Sequence, residues 1–301
     1  FRSGGLMDAL LAIANASPGS SDEASVDATV AALRQAYNVE VVTTDTPDEL
    51  ESALAEHPDV SGVVVLGGDG SLHAVVTAMH RAGRLPDTTV GLVPLGTGND
   101  FARALELPES PVEAAERIGA APPRDLDLIV DGDGRVVVNV AHVGIGAEAA
   151  AAAQPLKKVL GPLGYVAGAL VTTVKALSTP GSRLTVELDG EPLPGRGRIL
   201  QVAVGNGQYV GGGTALLPEA DPGDGLLDVS VTYAAPLPQR LVYAWQLSRR
   251  DHHRRDDVTY RQGSTVRVTG DAVPCTSDGE LIDPAAAHSW RIEPGALRMW
   301  V

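Results

Sequence analysis

Two continuous apolar runs, each ended by a glycine-rich loop, constrain the fold of this chain more than any other feature. Gly62 to Leu66 and Val90 to Val93 contain only apolar residues and glycine. Strands buried on both faces of a parallel sheet have this pattern. Between the runs, Ser71 to Arg81 has the apolar spacing of an amphipathic helix. Alternating strands and helices of these lengths predict a parallel α/β fold.

The alternation extends toward the start of the chain and stops near its middle. Ala9 to Asn15 and Val39 to Thr43 are predicted strands, and Pro47 to Glu56 is a predicted helix. From Ser182 onward, short apolar runs separated by glycine and proline turns indicate an antiparallel β domain. We predict a Rossmann-like α/β domain over residues 6–134 and a β-sandwich-like domain over residues 135–288.

Composition excludes some classes of function. The net charge is −15, which repels nucleic acid, so we expect no nucleic-acid partner. Any contact with lipid then needs a local apolar or basic patch.

The run Leu6 to Ala16 carries Asp8 and lacks a basic lead, which favours a buried strand over a signal peptide. Residues 1–5 read as an added tag.

The remaining global features favour a cytoplasmic protein. Gly161 to Leu177 is the most apolar later segment, but Pro162 and Lys175 interrupt it and it is too short to span a bilayer. Cys275 is the single cysteine, so no disulfide forms within the chain, as is usual in a reducing compartment.

The loop Gly67-Gly-Asp-Gly-Ser71 lies between the first apolar run and the predicted helix. Glycines let the backbone approach a ligand closely, and free N–H groups at a helix start attract phosphate. Asp69 would place a carboxylate beside that phosphate, where it could act through Mg²⁺ or deprotonate a hydroxyl. A plain strand-to-helix turn would have the same sequence.

A second loop, Pro94-Leu-Gly-Thr-Gly-Asn-Asp100, follows the second apolar run and favours the ligand-binding interpretation. It offers freed amides, the Thr97 hydroxyl, and the side chains of Asn99 and Asp100. Ligands bind outside the carboxyl ends of parallel strands, so loops on adjacent strands would share one crevice. Neither loop matches the P-loop or the dinucleotide fingerprint.

Taken together, these loops resemble the catalytic domain of the diacylglycerol kinase family. Its superfamily also includes sphingosine and ceramide kinases and, more distantly, NAD kinases. The resemblance covers nearly the whole chain, because further family motifs are matched by Asn15 to Gly19, Gly205 to Gly213, Leu217 to Ala220, Asp224 to Asp228 and Asp278 to Glu280.

The resemblance implies an ATP site between the two domains. It also implies that residues 289–301 return to the first domain. Thr43 or Thr44 would add a contact to the nucleotide. The residues that the resemblance assigns to ATP are Asn15, Ala16, Ser17, Pro18, Gly19, Thr43, Gly67, Gly68, Asp69, Gly70, Ser71, Leu72, His73, Thr97, Asn99 and Asp100.

The resemblance also implies how phosphate would be transferred to a lipid hydroxyl. Glu280 matches the proton acceptor, and Asp69 is the second catalytic candidate. Asp100 and Asp127 would help to organise Mg²⁺ and the phosphates, with Asp278 in support. Positioning and charge stabilisation dominate such reactions. A hairpin turn alone would equally explain Asp278-Gly-Glu280.

A structural Mg²⁺ site is implied at Asp224, with backbone carbonyls from near Asp221 and Leu226 completing it. A loop carboxylate with carbonyls suits a hard cation. A simple turn at Asp224-Gly225 is the alternative.

The acceptor stays open within the resemblance. Diacylglycerol is the default, but His73 is similar to the sphingosine kinase version of its motif, and Ala74 and Gly146 also depart from the common pattern. A sphingoid base, ceramide or an undecaprenol-like alcohol is an alternative. The other interpretations are an NAD kinase and a nucleotide-binding regulatory protein without catalytic activity. The sequence does not decide whether the chain forms a homodimer.

Two apolar segments are candidates for a lipid cleft at a membrane surface. They are the predicted helical inserts Leu156 to Leu177 and Leu237 to Leu247, which lie beside Lys157, Lys158, Arg249 and Arg250. Ordinary core helices would look the same. The basic cluster Arg249 to Arg255 would meet anionic lipid, although Asp251 and its acidic neighbours dilute it.

Overall fold

A computed structural model describes residues 9–15, 23–144 and 179–301, which divide into two units. The first unit contains the chain up to Leu128 together with Gly211–Gly213 and Pro294–Val301. The second contains Ile129–Val210 and Thr214–Glu293. The predicted fold class, an α/β unit and a β-rich unit, is confirmed. The predicted insert Leu156 to Leu177 and Gly146 lie outside the described residues.

Parallel strands form the sheet of the first unit. Its order is β2 (Asn38–Thr44), β1 (Ala9–Asn15), β3 (Gly62–Gly67) and β4 (Thr89–Pro94). Every residue of β3 is buried, as its continuous apolar sequence requires. Met299 pairs in parallel with Val90 on β4, so the late segment of the chain extends this sheet.

Helices cover the sheet of the first unit. They are α1 (Glu23–Leu33), α2 (Pro47–Glu56), α3 (Asp69–Arg81), α4 (Asp100–Ala104) and α5 (Pro111–Arg117). The α2 helix begins where the sequence predicts it, because Pro47 fits the first turn and the Thr46 hydroxyl accepts a hydrogen bond from Glu49 N–H. Small and branched apolar side chains fill the core between α1, α5 and the strands.

Trp300 lies against two glycines of this sheet. A Cβ atom at Gly62 would lie 2.7 Å from Trp300 Cζ3, and one at Gly91 would lie 3.3 Å from Trp300 Cε3. The two glycines therefore leave the room that the indole occupies, and the tryptophan holds the end of the chain on the first unit.

The second unit is an antiparallel β structure with a valine-rich core. Its main sheet runs in the order β14, β13, β10, β7, β15, β16, with β8 on β15 and β9 on β8. The bounds are β5 (Arg124–Asp131), β6 (Val136–Val137), β7 (Val140–Gly144), β8 (Leu184–Leu188), β9 (Glu191–Pro192), β10 (Ile199–Gly205), β11 (Tyr209–Val210), β12 (Thr214–Ala215), β13 (Leu227–Tyr233), β14 (Val258–Gly263), β15 (Thr265–Ser277) and β16 (Glu280–Met299).

Two further elements complete the second unit. The α6 helix (Leu237–Ser248) follows β13, and a short 3₁₀ helix (His252–Arg254) follows α6. Both β5 and β16 continue from one unit into the other. Within the described ranges, no helix has the length and apolarity needed to cross a bilayer.

Some boundaries differ from those expected from the sequence. The structure divides between Leu128 and Ile129, whereas the predicted division was after residue 134, and the returning segment starts at Pro294 instead of residue 289. The strands β6 and β7 are separated only by Val138 and Asn139.

Candidate active site

Two glycine loops lie side by side at the carboxyl ends of β3 and β4. The Gly67 carbonyl accepts a hydrogen bond of 3.0 Å from Leu95 N–H. A Cβ atom at Gly96 would lie 2.6 Å from Gly68 Cα, and one at Gly68 would lie 3.0 Å from Gly96 Cα. Neither position has room for a side chain, so the glycines permit the close approach of the two backbones.

Asp69 joins the loops through its carboxylate. One oxygen accepts a hydrogen bond of 3.0 Å from Asp100 N–H, and the other accepts one of 2.9 Å from Phe101 N–H. These are the first two amides of α4, which have no partner within that helix. Asp69 thus caps α4 although it belongs to α3, a role that the sequence analysis did not assign to it.

Asn99 shapes the second loop. Its backbone is left-handed, with φ of 50°, and its side-chain amide donates a hydrogen bond of 2.7 Å to the Gly96 carbonyl. Asparagine tolerates this conformation better than most residues. Its Oδ1 is buried and accepts no hydrogen bond in the part of the chain that the structure describes.

Asp100 is buried and anchors a triple-glycine loop. Its carboxylate accepts hydrogen bonds of 2.9 Å from Gly212 N–H and 2.7 Å from Gly213 N–H, and Arg103 Nη1 lies 3.1 Å from it. Burial raises the pKa of Asp100, the Gly212 amide opposes that shift, and the nearby Asp69 charge adds to it. The carboxylate is therefore fixed in place by neutral donors and one cation.

The sequence analysis missed the roles of Arg103 and of the triple-glycine loop. Gly211, Gly212 and Gly213 have φ values of 63°, 85° and 111°, and only glycine adopts three such values in succession without strain. The three adjacent glycines in the sequence were the signal from which this loop could have been predicted. Arg103 also donates to the Gly98 carbonyl at 3.2 Å, and its position three residues after Asp100 was the sign of an ion pair.

The first turn of α3 opens onto a cavity. A Cβ atom at Gly70 would meet no other atom within 4 Å, and the N-cap residue Gly68 has no side chain to cap the helix. The cavity has a volume of about 150 Å³, and its polar lining comes from Asn15, Thr44, Asp45, Thr46 and Ser71, so one carboxylate lies at its edge. Uncapped amides at a helix start beside hydroxyl and amide groups suit a phosphate.

Other residues assigned to ATP from the sequence are placed differently. Thr43 is exposed and does not line the cavity, whereas the buried Thr44 does. Leu72 is fully buried in the core beneath α3. His73 is half-buried, and Thr97 is exposed on the second loop. Ala16, Ser17, Pro18 and Gly19 lie outside the described residues.

Asp127 holds the late segment of the chain to the first unit. Its buried carboxylate accepts a hydrogen bond of 2.8 Å from Gly295 N–H. Gly295 has φ of 64°, so glycine suits the turn that brings this amide to the carboxylate.

In the second unit, Asp278 and Glu280 belong to the turn between β15 and β16. Asp278 and Gly279 both have positive φ, as in the type I′ turns that Asp-Gly sequences favour, so the motif is a hairpin turn. It is also an anchor, because the Asp278 carboxylate accepts hydrogen bonds from three consecutive amides, those of Val138, Asn139 and Val140, at 2.7–3.0 Å. Glu280 is exposed at the first position of β16.

The Asp224 loop has the donor types that a hard cation requires. One Asp224 oxygen accepts from Leu226 N–H at 2.9 Å, and the other accepts from the Gln262 amide at 2.9 Å. Within the described ranges no arginine or lysine pairs with Asp224, and no group of three or more His, Cys, Asp or Glu residues gathers around a metal-sized space. Asp224 and the carbonyls of Asp221 and Leu226 are oxygen ligands of the kind that Mg²⁺ takes, but both Asp224 oxygens already accept hydrogen bonds, and the Asp221 carbonyl accepts one from Asp224 N–H.

A nearby carboxylate is strongly perturbed. Asp228 is fully buried, and its burial raises its pKa to about 6, although hydrogen bonds from Tyr260 and Gln262 oppose the shift. The Asp224 charge contributes to the rise. The Asp224 loop therefore lies in a region where negative charge is already concentrated.

Comparisons with known proteins agree with the motifs. The profile of the diacylglycerol kinase catalytic domain matches residues 9–130, and that of the YegS C-terminal NAD kinase beta sandwich-like domain matches residues 139–301. A protein of Stenotrophomonas maltophilia (strain K279a) named probable lipid kinase YegS-like is 34% identical over 281 residues, covering 88% of this chain and 87% of its own. One of the same name from Pseudomonas putida KT2440 is 38% identical over 236 residues, 76% of each chain.

Two solved structures from Bacillus anthracis str. Sterne share the fold. One, described as a diacylglycerol kinase, has a TM-score of 0.73 at 17% identity and covers 99% of this chain and 98% of its own. The other has a TM-score of 0.80 at 20% identity, with coverage of 99% and 97%. Both support the architecture of an α/β unit followed by a β-rich unit.

Proposed function

Since this chain belongs to the YegS-like lipid kinase family, we propose that it transfers the γ-phosphate of ATP to a lipid hydroxyl, with diacylglycerol as acceptor and phosphatidic acid as product. The observation that carries the ATP assignment is the uncapped first turn of α3, which opens onto a polar cavity within the first unit. Diacylglycerol is preferred among lipid alcohols because the matched catalytic profile carries that name.

The phosphates of ATP bind at the first turn of α3 in this proposal. The Asp69 carboxylate accepts hydrogen bonds from the first amides of α4 and not from those of Gly70 and Ser71, which leaves these amides to the phosphate. Asn15 and Thr44 supply polar contacts from the ends of β1 and β2. The missing side chain at Gly70 gives the phosphate room beside the backbone.

Glu280 accepts the proton of the lipid hydroxyl. The hydroxyl oxygen then forms a bond to the γ-phosphorus, the bond from that phosphorus to the β–γ bridging oxygen breaks, and ADP leaves. Asp278 is a positioning residue, because its three backbone hydrogen bonds fix the turn that presents Glu280.

Magnesium, when bound, neutralises phosphate charge during the transfer. The oxygens of Asp69 and Asp100 accept amide hydrogen bonds and retain further lone pairs, so these residues could still support a cation. Asp224 and the carbonyls of Asp221 and Leu226 would hold a separate ion with a structural role.

The test is transfer of labelled γ-phosphate from Mg-ATP to a panel containing diacylglycerol, a sphingoid base, ceramide, undecaprenol and NAD. We expect label in phosphatidic acid and its loss in Glu280→Ala. Glu280→Gln serves as the matched control, because it keeps the size and polarity of the side chain but cannot accept the proton. It should lose activity to about the same extent, roughly 10²- to 10⁴-fold.

The alternatives give distinct outcomes. Label on a sphingoid base, ceramide or undecaprenol would change the acceptor and keep the mechanism. Label on NAD alone would contradict a lipid kinase. ATP binding by calorimetry without transfer to any acceptor would instead favour a nucleotide-binding regulator.

A further inference from the structure

The α6 helix has two apolar faces, although a surface helix normally needs only one. Its inner face packs on the second unit: Leu247 contacts the buried cluster that contains Ala203 and Leu217. Tyr243 Oη lies 3.4 Å from the Thr232 hydroxyl, and its ring meets the edge of His252 at a centroid distance of 5.6 Å. Through these contacts the helix packs on the second unit, although none of its residues is fully buried.

The outer face of α6, defined as Leu237, Leu241, Val242 and Trp245, is exposed to solvent. The exposed fractions of these residues are 52%, 53%, 46% and 58%. Leu237, Leu241 and Trp245 recur every four residues and therefore form one stripe. Among the described residues, four of the five exposed large hydrophobic side chains lie here. Clustered exposure of this kind marks an interaction surface.

The stretch of sequence that contains α6 carries a charge opposite to that of the whole chain. The net charge is −15, yet the sequence from Val229 to Arg250 contains no acidic residue and three arginines. The Arg249 guanidinium lies 4.7 Å from the Trp245 ring centroid, and Arg250 lies 4.9 Å from the Tyr209 ring centroid. Arg249 therefore lies at the end of the apolar stripe, whereas Arg250 is held by Tyr209, to whose hydroxyl it also donates a hydrogen bond.

Three acidic residues follow the helix, and two of them are paired with arginine; the third, Asp256, is exposed and lines a surface groove with Val242. Asp257 is paired with Arg255 at 2.5 Å, and Asp251 is paired with Arg254 at 3.7 Å. Arg249 has no carboxylate partner among the described residues.

We propose that the outer face of α6 docks on an anionic lipid bilayer, with Trp245 and Leu241 at the boundary between headgroups and acyl chains and Arg249 at the headgroup phosphates. Apolar and aromatic side chains flanked by arginine, with no acid between them, match such a surface in both polarity and charge. The proposal rests on the proposed function in one respect, because a lipid acceptor resides in a membrane.

A second copy of the chain fits the outer face less well. A stable interface buries about 800 Å² on each partner, more than one exposed helical stripe offers. In a two-fold contact the same face would meet itself, and the stretch Val229 to Arg250 contains no carboxylate that could pair with Arg249 of the other copy.

The test is flotation of the whole chain with phosphatidylcholine vesicles that contain or lack phosphatidylglycerol, without ATP. We expect binding to the anionic vesicles only, weakened about tenfold or more in Leu241→Glu and Trp245→Glu because the apolar anchor is replaced by a repelled charge. Arg249→Glu should weaken binding about tenfold through charge alone. Arg117→Glu, an exposed position on α5, is the matched charge control and should bind as the wild type does.

Insertion itself is tested by quenching of tryptophan fluorescence with brominated lipid. Trp245 is exposed, Trp290 is buried, and the ring of the partly buried Trp300 packs on Gly62 and Gly91, so quenching in the wild type should come from Trp245. Trp245→Phe keeps the aromatic anchor, and it should bind vesicles but lose most of the quenching. Binding by Trp245→Phe with undiminished quenching would place the membrane contact elsewhere and overturn the proposal.

The remaining outcomes separate docking from catalysis. Equal vesicle binding by wild type, Leu241→Glu and Trp245→Glu would overturn the docking surface, as would a dimer in sedimentation that Leu241→Glu dissociates without any vesicle binding. Vesicle binding that depends on α6, without phosphate transfer to any lipid, would support docking and contradict the proposed function. Phosphate transfer to detergent-dispersed diacylglycerol without vesicle binding would support the proposed function and contradict docking.

Discussion

Three aspartates make the same kind of contact: each carboxylate accepts hydrogen bonds from two or more backbone N–H groups in a distant part of the sequence. They are Asp69, Asp100 and Asp278. Hydrogen bonds to an ionised acceptor are stronger than those between neutral groups. Each of these residues therefore stabilises a loop, whatever further part it takes in chemistry.

Asp69→Ala should lower the free energy of unfolding by about 2 kcal/mol, because the first two amides of α4 lose their acceptor. Urea denaturation measures the change. Asp87→Ala is the matched control, since Asp87 is exposed in a loop, and it should change stability by less than about 0.5 kcal/mol. Equal stability of the two variants would show that the Asp69 cap contributes little.

Gly96→Ala and Gly70→Ala should affect the protein in opposite ways. A Cβ at Gly96 meets the Gly68 backbone, so Gly96→Ala should cost about 1–3 kcal/mol in unfolding free energy. A Cβ at Gly70 meets no atom outside its own helix within 4 Å, so Gly70→Ala should be neutral or stabilise by up to about 1 kcal/mol.

Gly70→Ala should nevertheless weaken ATP binding by about tenfold or more if phosphate occupies the space beside that backbone. Calorimetric titration with Mg-ATP measures this separately from stability. Unchanged affinity in a stable Gly70→Ala variant would contradict the placement of phosphate at α3.

The sequence identified these residues as candidates for the site, but it did not predict the contacts that they make. Asp278 was assigned from its motif and the adjacent turn, both of which are local signals. Its hydrogen bonds reach amides nearly 140 residues earlier in the chain, and no spacing rule covers that separation. The capping of α4 by Asp69 across 31 residues was missed for the same reason.

Among the secondary-structure elements, the sequence predicted best those whose buried residues recur at a regular spacing. The predicted strand Ala9 to Asn15 and the predicted helix Pro47 to Glu56 coincide with β1 and α2. The long strand β16, Glu280–Met299, was not predicted, because it contains two prolines, a glycine and a run of alanines that disfavour strands. Pairing with β15 and β4 overrides that preference.

Trp300 and Gly62 provide a prediction about the contact between the end of the chain and β3. Gly62→Ala alone should destabilise by about 1–3 kcal/mol, because the new methyl group overlaps the indole. In the Trp300→Ala background the same change should cost much less. A double-mutant cycle from urea denaturation should give a coupling energy of about 1–2 kcal/mol, and additive effects would contradict the contact.

For the molecule as a whole, His142 predicts how stability depends on pH. Burial lowers the pKa of His142 to about 4 from 6.5, with the Asp278 charge opposing the shift, and its Nδ1 lies 3.3 Å from the Gln201 amide. Between these two values the unfolded chain binds more protons than the folded one. Stability from this group is therefore full above pH 6.5 and is lost as the pH falls toward 4.

The expected loss is about 3 kcal/mol across that window. It is measured as the difference in unfolding free energy between the wild type and His142→Gln at a series of pH values. The difference should favour the wild type more as pH rises. A pH-independent difference would show that His142 titrates normally in the folded state.

The pairing of Met299 with Val90 also has a consequence for biosynthesis. The ribosome releases β4 about 200 residues before the segment that pairs with it, so the nascent first unit must wait for nearly complete translation. Until then part of the β4 edge and the surface that Trp300 covers are open to other chains. We expect chaperones to engage this protein during its synthesis, and fragments ending before residue 294 to aggregate rather than accumulate as a folded nucleotide-binding domain.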